Sequence, residues 1–171
     1  MNEIVAQVDK SDYEIYDDYL NFKVDGVFLD EMLEALYPEA DEKYKGLIPT
    51  LLYALIYNDE KEIVWNRILP ELHGRTVCPI LMCPDDCDFS CIVIVAEIEC
   101  LEDRIVWHRL GVDNTLGYPP EIIGSEVKWL ELVPLYQFSK ADYLMMIDVF
   151  KEQYEIDRKW WEANRHSSKP E

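Results

Sequence analysis

Hydrophobic residues recur along this chain at two different spacings, one typical of helices and the other of strands. The first helical set consists of Phe28, Leu29, Met32, Leu33 and Leu36. Because Pro38 follows this set, the sequence predicts a short amphipathic helix over residues 28–37. The stretch up to Val24 alternates like a strand and ends at the turn Asp25-Gly26.

A second run of hydrophobic residues repeats at four-residue intervals in two adjacent rows. It consists of Leu47, Ile48, Leu51, Leu52, Leu55 and Ile56. Two neighbouring rows are typical of a helix with a broad buried face, so this run predicts a helix over residues 47–56. Asp59 and Glu62 then have capping-box spacing, which predicts a further helix that ends before Pro70.

Beyond residue 76 the chain becomes rich in Ile and Val, which favour a pleated surface. Residues 77–82 and 89–100 are therefore predicted to be strands. On one face of the second strand, apolar residues give way to Glu97 and Glu99. Residues 104–110 are predicted to return as its hairpin partner. The side chains expected on one face of that returning strand are Ile105, Trp107 and Arg109.

Residues 111–124 are predicted to form an exposed loop, followed by a strand over residues 127–133. Ser139 is a natural N-cap for a long C-terminal helix. The order of elements predicts one α+β domain over residues 1–171, an antiparallel meander sheet with helices packed on one face. The tail is expected to fray from about residue 165.

The net charge changes the range of expected partners. The chain has 171 residues and a formal charge of −19, and residues 1–42 hold thirteen acids against two bases. Such a surface repels nucleic acid and anionic membranes and speeds the approach of a basic protein. An acidic surplus also serves solubility alone, and the charge does not separate these two roles.

Tyrosines alternate with acids in the most acidic quarter of the chain. Rigid aromatic rings and carboxylates together suit a basic partner, so this segment is the predicted partner-binding site. The residues are Asp12, Tyr13, Glu14, Tyr16, Asp17, Asp18 and Tyr19. Alternatively, these tyrosines pack their rings on the core while their hydroxyls reach water.

Candidate chemistry is sparse, and no catalytic residue, metal or cofactor is predicted. Glu97 and Glu99 project from one strand face about 7 Å apart, a spacing that suits acid and base work as well as a solvated sheet face. Cys83, Cys87 and Cys91 lie at intervals that differ from those of structural zinc sites. A small hydrolase built on the two glutamates or on the Cys83–Cys91 segment is the alternative to a binding protein.

The expected compartment is the cytoplasm. No apolar run approaches the roughly 20 residues that span a bilayer, and the amino terminus lacks the basic and apolar regions of a signal peptide. Five cysteines, an odd number, are then expected to be reduced thiols rather than a disulfide framework.

Three segments together resemble bacterial immunity proteins that guard against polymorphic toxins. They are Val24-Asp25-Gly26 with Leu29-Asp30-Glu31-Met32-Leu33, Asp88-Phe89-Ser90-Cys91 leading into Ile92-Val93-Ile94-Val95, and Val106-Trp107-His108-Arg109-Leu110-Gly111. The resemblance covers about a third of the chain and assigns no particular immunity family. It implies a noncatalytic inhibitor of a toxin domain. A scaffold or regulatory module remains a further alternative, and the sequence indicates no oligomeric state.

Overall fold

The computed structural model describes residues 1–10, 18–115 and 119–165. Nine strands and three α-helices lie in these residues, together with a short 3-10 turn at Pro120–Ile122. The elements are β1 (Ile4–Asp9), β2 (Tyr19–Val24), β3 (Val27–Phe28), α1 (Leu29–Leu36), β4 (Ile48–Pro49), α2 (Asn58–Arg67), β5 (Arg75–Met82), β6 (Val93–Cys100), β7 (Arg104–Asp113), β8 (Val127–Trp129), β9 (Tyr136–Ser139) and α3 (Lys140–Asn164). Within the described ranges, none of these helices has the length and apolar character needed to cross a membrane.

The strands form two antiparallel sheets, which confirms the predicted α+β class. The small sheet has the order β1-β2-β3. The main sheet is a meander of β4-β5-β6-β7-β8, and β9 pairs with the first part of β7. The end of α2 lies beside β5, where the Thr76 hydroxyl donates to the Arg67 carbonyl at 2.6 Å. This contact joins the end of α2 to the first part of β5.

The main core fills the space between the main sheet, the small sheet and α3. Trp107 is fully buried at its centre, with its ring centroid 5.9 Å from that of Phe22 and 5.3 Å from that of Phe138. Its indole N–H donates to the Tyr143 hydroxyl, which donates to the Ile68 carbonyl at 2.8 Å. The long C-terminal helix begins as predicted, because the Ser139 hydroxyl accepts from the Asp142 amide at 3.1 Å.

The helix predicted over residues 47–56 is wrong. Residues 48–49 form β4, and the following residues make a series of turns closed by hydrogen bonds such as Leu55 N–H to the Leu52 carbonyl. Thr50 is tied to β5 through its hydroxyl, which donates to the Pro79 carbonyl, and through its amide, which donates to Ile80. The turns still bury Leu51 and Leu55, so the four-residue spacing reflects burial without a helix.

The predicted common face of Ile105, Trp107 and Arg109 is also wrong. In the pairing of β6 with β7, Ile98 lies opposite Trp107 and Glu97 lies opposite Arg109, so His108 is an extra residue. This β-bulge reverses the alternation of side chains. Trp107 points into the main core, whereas His108 and Arg109 join Glu97 and Glu99 on the other face of the main sheet, called the outer face below.

Around the first half of β6, the outer face carries a second, smaller core of Ile63, Val93, Val95 and Ile123. The chain around Ile123 is held there by Arg67, whose guanidinium donates to the carbonyls of Ile123, Val77 and Glu121. The strand predicted over residues 127–133 ends at Trp129. Glu97 and Glu99 lie beyond this covered half, as the change of side chains along β6 predicts.

Candidate functional site

The described residues form a groove of about 640 Å³ where the small sheet, the turns after β4 and the end of α3 meet. We call it the main groove. Its lining residues are Val8, Asp18, Tyr19, Leu20, Leu52, Tyr53, Ala54, Leu55, Ile56, Lys61, Gln153, Asp157 and Trp161.

The β1–β2 side of the main groove is held in place by a buried polar network. Asp9 is paired with Tyr19 across the two strands. The Asn21 amide donates to a carboxylate oxygen of Asp9 and of Asp30, each at 3.0 Å, and the Gly46 N–H donates to Asp30 at 2.9 Å. Burial raises the pKa of Asp30, which these donors partly offset. The network joins the small sheet to α1 and to the turn before β4.

Three exposed apolar side chains line the main groove. Val8 is 58% exposed, Ile56 is 59% exposed and Trp161 is 56% exposed. Isolated exposed apolar residues are ordinary, but several around one groove are typical of a surface that binds a partner. Large aromatic side chains such as Trp161 are the residues that most often dominate binding energy.

A second groove of about 400 Å³ shares Tyr53, Lys61 and Trp161 with the main groove. The Lys61 ammonium lies 4.1 Å from the centre of the Tyr53 ring and 5.7 Å from that of Tyr154. Burial lowers the pKa of Lys61 below its usual value. The lysine therefore packs against aromatic rings on the wall between the two grooves, where it contributes to their shape.

The structure tests the predicted partner-binding residues only in part. Asp12, Tyr13, Glu14, Tyr16 and Asp17 lie outside the described residues. Asp18 and Tyr19 line the main groove. Sequence reasoning missed the apolar side of the groove, Val8, Ile56 and Trp161. For Trp161 the sequence does contain a signal, which is the pair Trp160-Trp161 in the charged final turns of the predicted C-terminal helix.

Glu97 and Glu99 form an ion-pair network on the outer face. A carboxylate oxygen of Glu99 lies 2.7 Å from His108 Nε2 and 3.1 Å from Arg75 Nη2. Glu97 accepts from Arg109 at 3.3 Å and lies 3.8 Å from Arg75. The Arg109 guanidinium in turn stacks 3.9 Å from the centre of the Trp129 ring. Each carboxylate therefore has cationic or hydrogen-bonding partners within the chain.

This pairing does not prepare Glu99 for work as a general acid. The hydrogen bond from His108 lowers the pKa of Glu99, and Arg75 adds to the effect. A general acid at neutral pH needs the opposite shift, because it must keep its proton. The geometry favours a structural role for Glu97 and Glu99.

The cysteines of the alternative hydrolase separate into two groups. Cys83 and Cys91 approach Asp86, and one ligand atom from each residue lies within 4.8 Å of the others. The Cys87 thiol instead donates to the Pro84 carbonyl at 3.2 Å. Burial raises the pKa of Cys87 and raises that of Cys91 to about 11. Nucleophilic cysteines require a lowered pKa, so these thiols are poorly suited to attack a substrate.

Glu60 links α2 to the chain between β5 and β6. It is 7% exposed, and one carboxylate oxygen accepts from the Phe89 N–H at 3.1 Å. Burial raises the pKa of this carboxyl to about 7, an effect that the Phe89 hydrogen bond opposes. Glu60 therefore changes its charge near neutral pH.

Comparison with known proteins identifies no relative: no family model, no curated protein and no solved structure matches this chain.

Proposed function

We propose that this chain is a noncatalytic binding protein whose main groove takes a basic protein partner. The observation that carries the proposal is the position of Asp18 and Tyr19 beside exposed Val8, Ile56 and Trp161. These two residues end the segment in which acids and tyrosines alternate. The groove thus combines apolar contact area with the last acid and the last tyrosine of that segment.

Charge supports a basic partner over an acidic one. Asp18 and Asp157 lie in the groove lining, and residues 1–42 carry a net charge of −11. Lys61 also lines the groove, but its ammonium lies over the Tyr53 ring. The acids would steer the encounter, and the apolar residues would slow dissociation after contact.

The most concrete form of this proposal is an immunity protein that occludes a basic toxin domain. Its support is the resemblance of the three segments together with the overall charge of −19. Occlusion needs no catalytic group in the inhibitor, and Glu97 and Glu99 are paired with His108 and Arg109 within the chain.

The test begins with a partner captured from the native cell and identified by mass spectrometry. Its purified form is then measured for association and dissociation rates against the chain at increasing salt. We expect association to slow steeply, since exposed charges are screened beyond about 8 Å at physiological ionic strength, and dissociation to change less. An acidic partner, or an association rate that is independent of salt, would contradict the proposal.

The variant that tests the acidic segment replaces Asp12, Glu14, Asp17 and Asp18 with their amides. It should associate more slowly than wild type in low salt and keep the wild-type circular dichroism spectrum. The matched control replaces four exposed acids that lie outside the groove lining, Glu71, Glu121, Glu126 and Glu131, and has the same net charge. Equal slowing by both variants would show that net charge alone is responsible. In that case the acidic segment is only a solubility device.

A further inference from the structure

The ten residues that connect β5 to β6 bring two thiols and a carboxylate together. Cys83 follows the last residue of β5, Cys91 comes shortly before β6, and Asp86 lies in the turn between them. We infer that this connection is a binding site for one thiophilic divalent cation of the Zn²⁺ type, with Cys83, Asp86 and Cys91 as its protein ligands.

The distances fit a tetrahedral ion after small side-chain movements. One ligand atom from each residue lies within 4.8 Å of the other two. Around Zn²⁺, ligand atoms bonded at about 2.0–2.3 Å lie roughly 3.5–4 Å from one another. Three protein ligands leave the fourth position of the tetrahedron for water.

The chemistry of the three ligands selects among cations. Thiolates favour Zn²⁺ and similar soft or borderline ions, whereas Mg²⁺ and Ca²⁺ favour oxygen ligands throughout. Asp86 and Cys91 are exposed, so an ion has access from solvent. Asp85 and Asp88 add negative charge within the same connection. Both features favour capture of a cation.

The connection is also held to the rest of the molecule near its middle. The Cys87 N–H donates to the Cys83 carbonyl, and the Cys87 carbonyl accepts from the Ile56 N–H, each at 3.0 Å. The Phe89 N–H donates to Glu60 at 3.1 Å. These bonds restrict the backbone before an ion arrives, which reduces the ordering that binding requires.

The sequence alone predicts no metal site in this loop, because the spacing of its cysteines differs from that of structural zinc sites. Cys83, Cys87 and Cys91 repeat at equal intervals, but the Cys87 thiol faces the Pro84 carbonyl. Asp86 takes the third position instead. The inference does not depend on the proposed partner or on the main groove.

The experiment uses the full chain, stripped of metal with a chelator and kept reduced with a phosphine. Co²⁺ is titrated as the probe, and Zn²⁺ is then added in competition. We expect one Co²⁺ per chain, a thiolate-to-cobalt charge-transfer band, and displacement by one equivalent of Zn²⁺. Absence of that band in the reduced protein would overturn the inference.

Variants identify the ligands. Cys83→Ser and Cys91→Ser should each weaken Co²⁺ binding by more than about tenfold, and Asp86→Asn should weaken it less than either. Cys87→Ser and Asp85→Asn are the matched controls from the same connection and should bind as wild type. Equal losses in Cys87→Ser and Cys91→Ser would contradict the assignment. Because Cys91 is exposed, Cys91→Ser carries the test if Cys83→Ser fails to fold.

A disulfide is the competing chemistry for two neighbouring thiols. Mass spectrometry of the untreated and the reduced protein distinguishes the two outcomes. A Cys83–Cys91 disulfide in the untreated protein, combined with no Co²⁺ binding after reduction, would make the pair a redox couple and the metal inference wrong. Protection of both thiols from alkylation by added Zn²⁺, with Cys87 still alkylated, would support the inference.

Discussion

The outer face of the main sheet and the main groove differ in whether their side chains have interaction partners within the chain. On the outer face, Glu97 and Glu99 are paired with Arg75, His108 and Arg109. In the groove, Val8, Ile56 and Trp161 each keep more than half of their surface exposed. A cluster of charged residues that pair with one another has little to gain from a partner, whereas exposed apolar surface gains when a partner covers it.

The largest expected effect is on binding at the main groove. Trp161→Ala should weaken binding of the captured partner by about 30-fold or more, as truncation of a central aromatic residue does. The control is Leu132→Ala, since Leu132 is an exposed apolar residue, 61% exposed, and does not line the groove. Equilibrium titration of both variants measures the difference. Equal losses, or no loss in Trp161→Ala, would contradict the assignment of the groove.

The next effect concerns Glu60, the neighbour of Lys61 in the sequence. Its carboxylate accepts a hydrogen bond from the Phe89 N–H, and Phe89 packs against the smaller core on the outer face. The pKa of Glu60 is about 7 in the folded chain against 4.5 for an ordinary glutamate, so the native state holds the proton more tightly than the unfolded state. The contribution of this group to the free energy of unfolding is therefore full below about pH 4.5 and is lost as the pH rises through about 7.

Glu60→Gln isolates that contribution, because the amide oxygen still accepts from Phe89 and carries no charge. The variant should match wild type near pH 4.5 and exceed it at pH 8 by on the order of 2 kcal/mol. Urea unfolding of both proteins across this range provides the measurement. A constant difference between the two at all pH values would show that the carboxyl does not titrate near neutral pH.

A smaller effect is expected from breaking the outer-face network. Arg109→Ala removes the ion pair with Glu97 and the stacking on Trp129, and should lower the free energy of unfolding by about 1 kcal/mol. Binding of the captured partner should stay within about threefold of wild type. Lys128→Ala, at an exposed position of neighbouring β8, is the control and should change neither quantity. Weaker partner binding by Arg109→Ala alone would place the outer face in the interface.

The smallest effect is a titration shift. His108 provides the closest polar contact to the Glu99 carboxylate and is the largest cause of its lowered pKa. His108→Ala should therefore raise the pKa of Glu99 toward its ordinary value, while Arg75 still holds it somewhat below. Carbon-13 NMR of the glutamate carboxyls measures this shift. An unchanged Glu99 pKa would mean that His108 is only the extra residue of the β-bulge and does not stabilise the charged form of Glu99.

The sequence pattern correctly predicted the elements that are determined by residues close together in the chain. The C-terminal helix begins at Ser139 because that hydroxyl caps Asp142, and β6 loses its second buried face at Glu97. The segment after β4 could not be predicted this way. Its leucines are buried by turns that Thr50 fixes to β5, a contact between residues 29 positions apart.

The candidate sites depend even more on tertiary contacts. The bulge at His108 is set by how β7 pairs with β6, and it decides that Arg109 joins Glu97. The main groove brings Val8, Ile56 and Trp161 together from distant parts of the chain. Periodicity describes the faces of single elements, so the sequence pattern indicated Asp18 and Tyr19 but not the apolar surface beside these two residues.

The most direct test of the binding surface compares two tryptophans in one protein. Hydroxyl-radical footprinting of the chain, free and bound to its captured partner, reports oxidation of Trp161 in the main groove and of Trp129 on the outer face. We predict that binding slows oxidation of Trp161 several-fold and leaves Trp129 unchanged. Protection of Trp129 with no change at Trp161 would contradict the account and place the partner on the outer face.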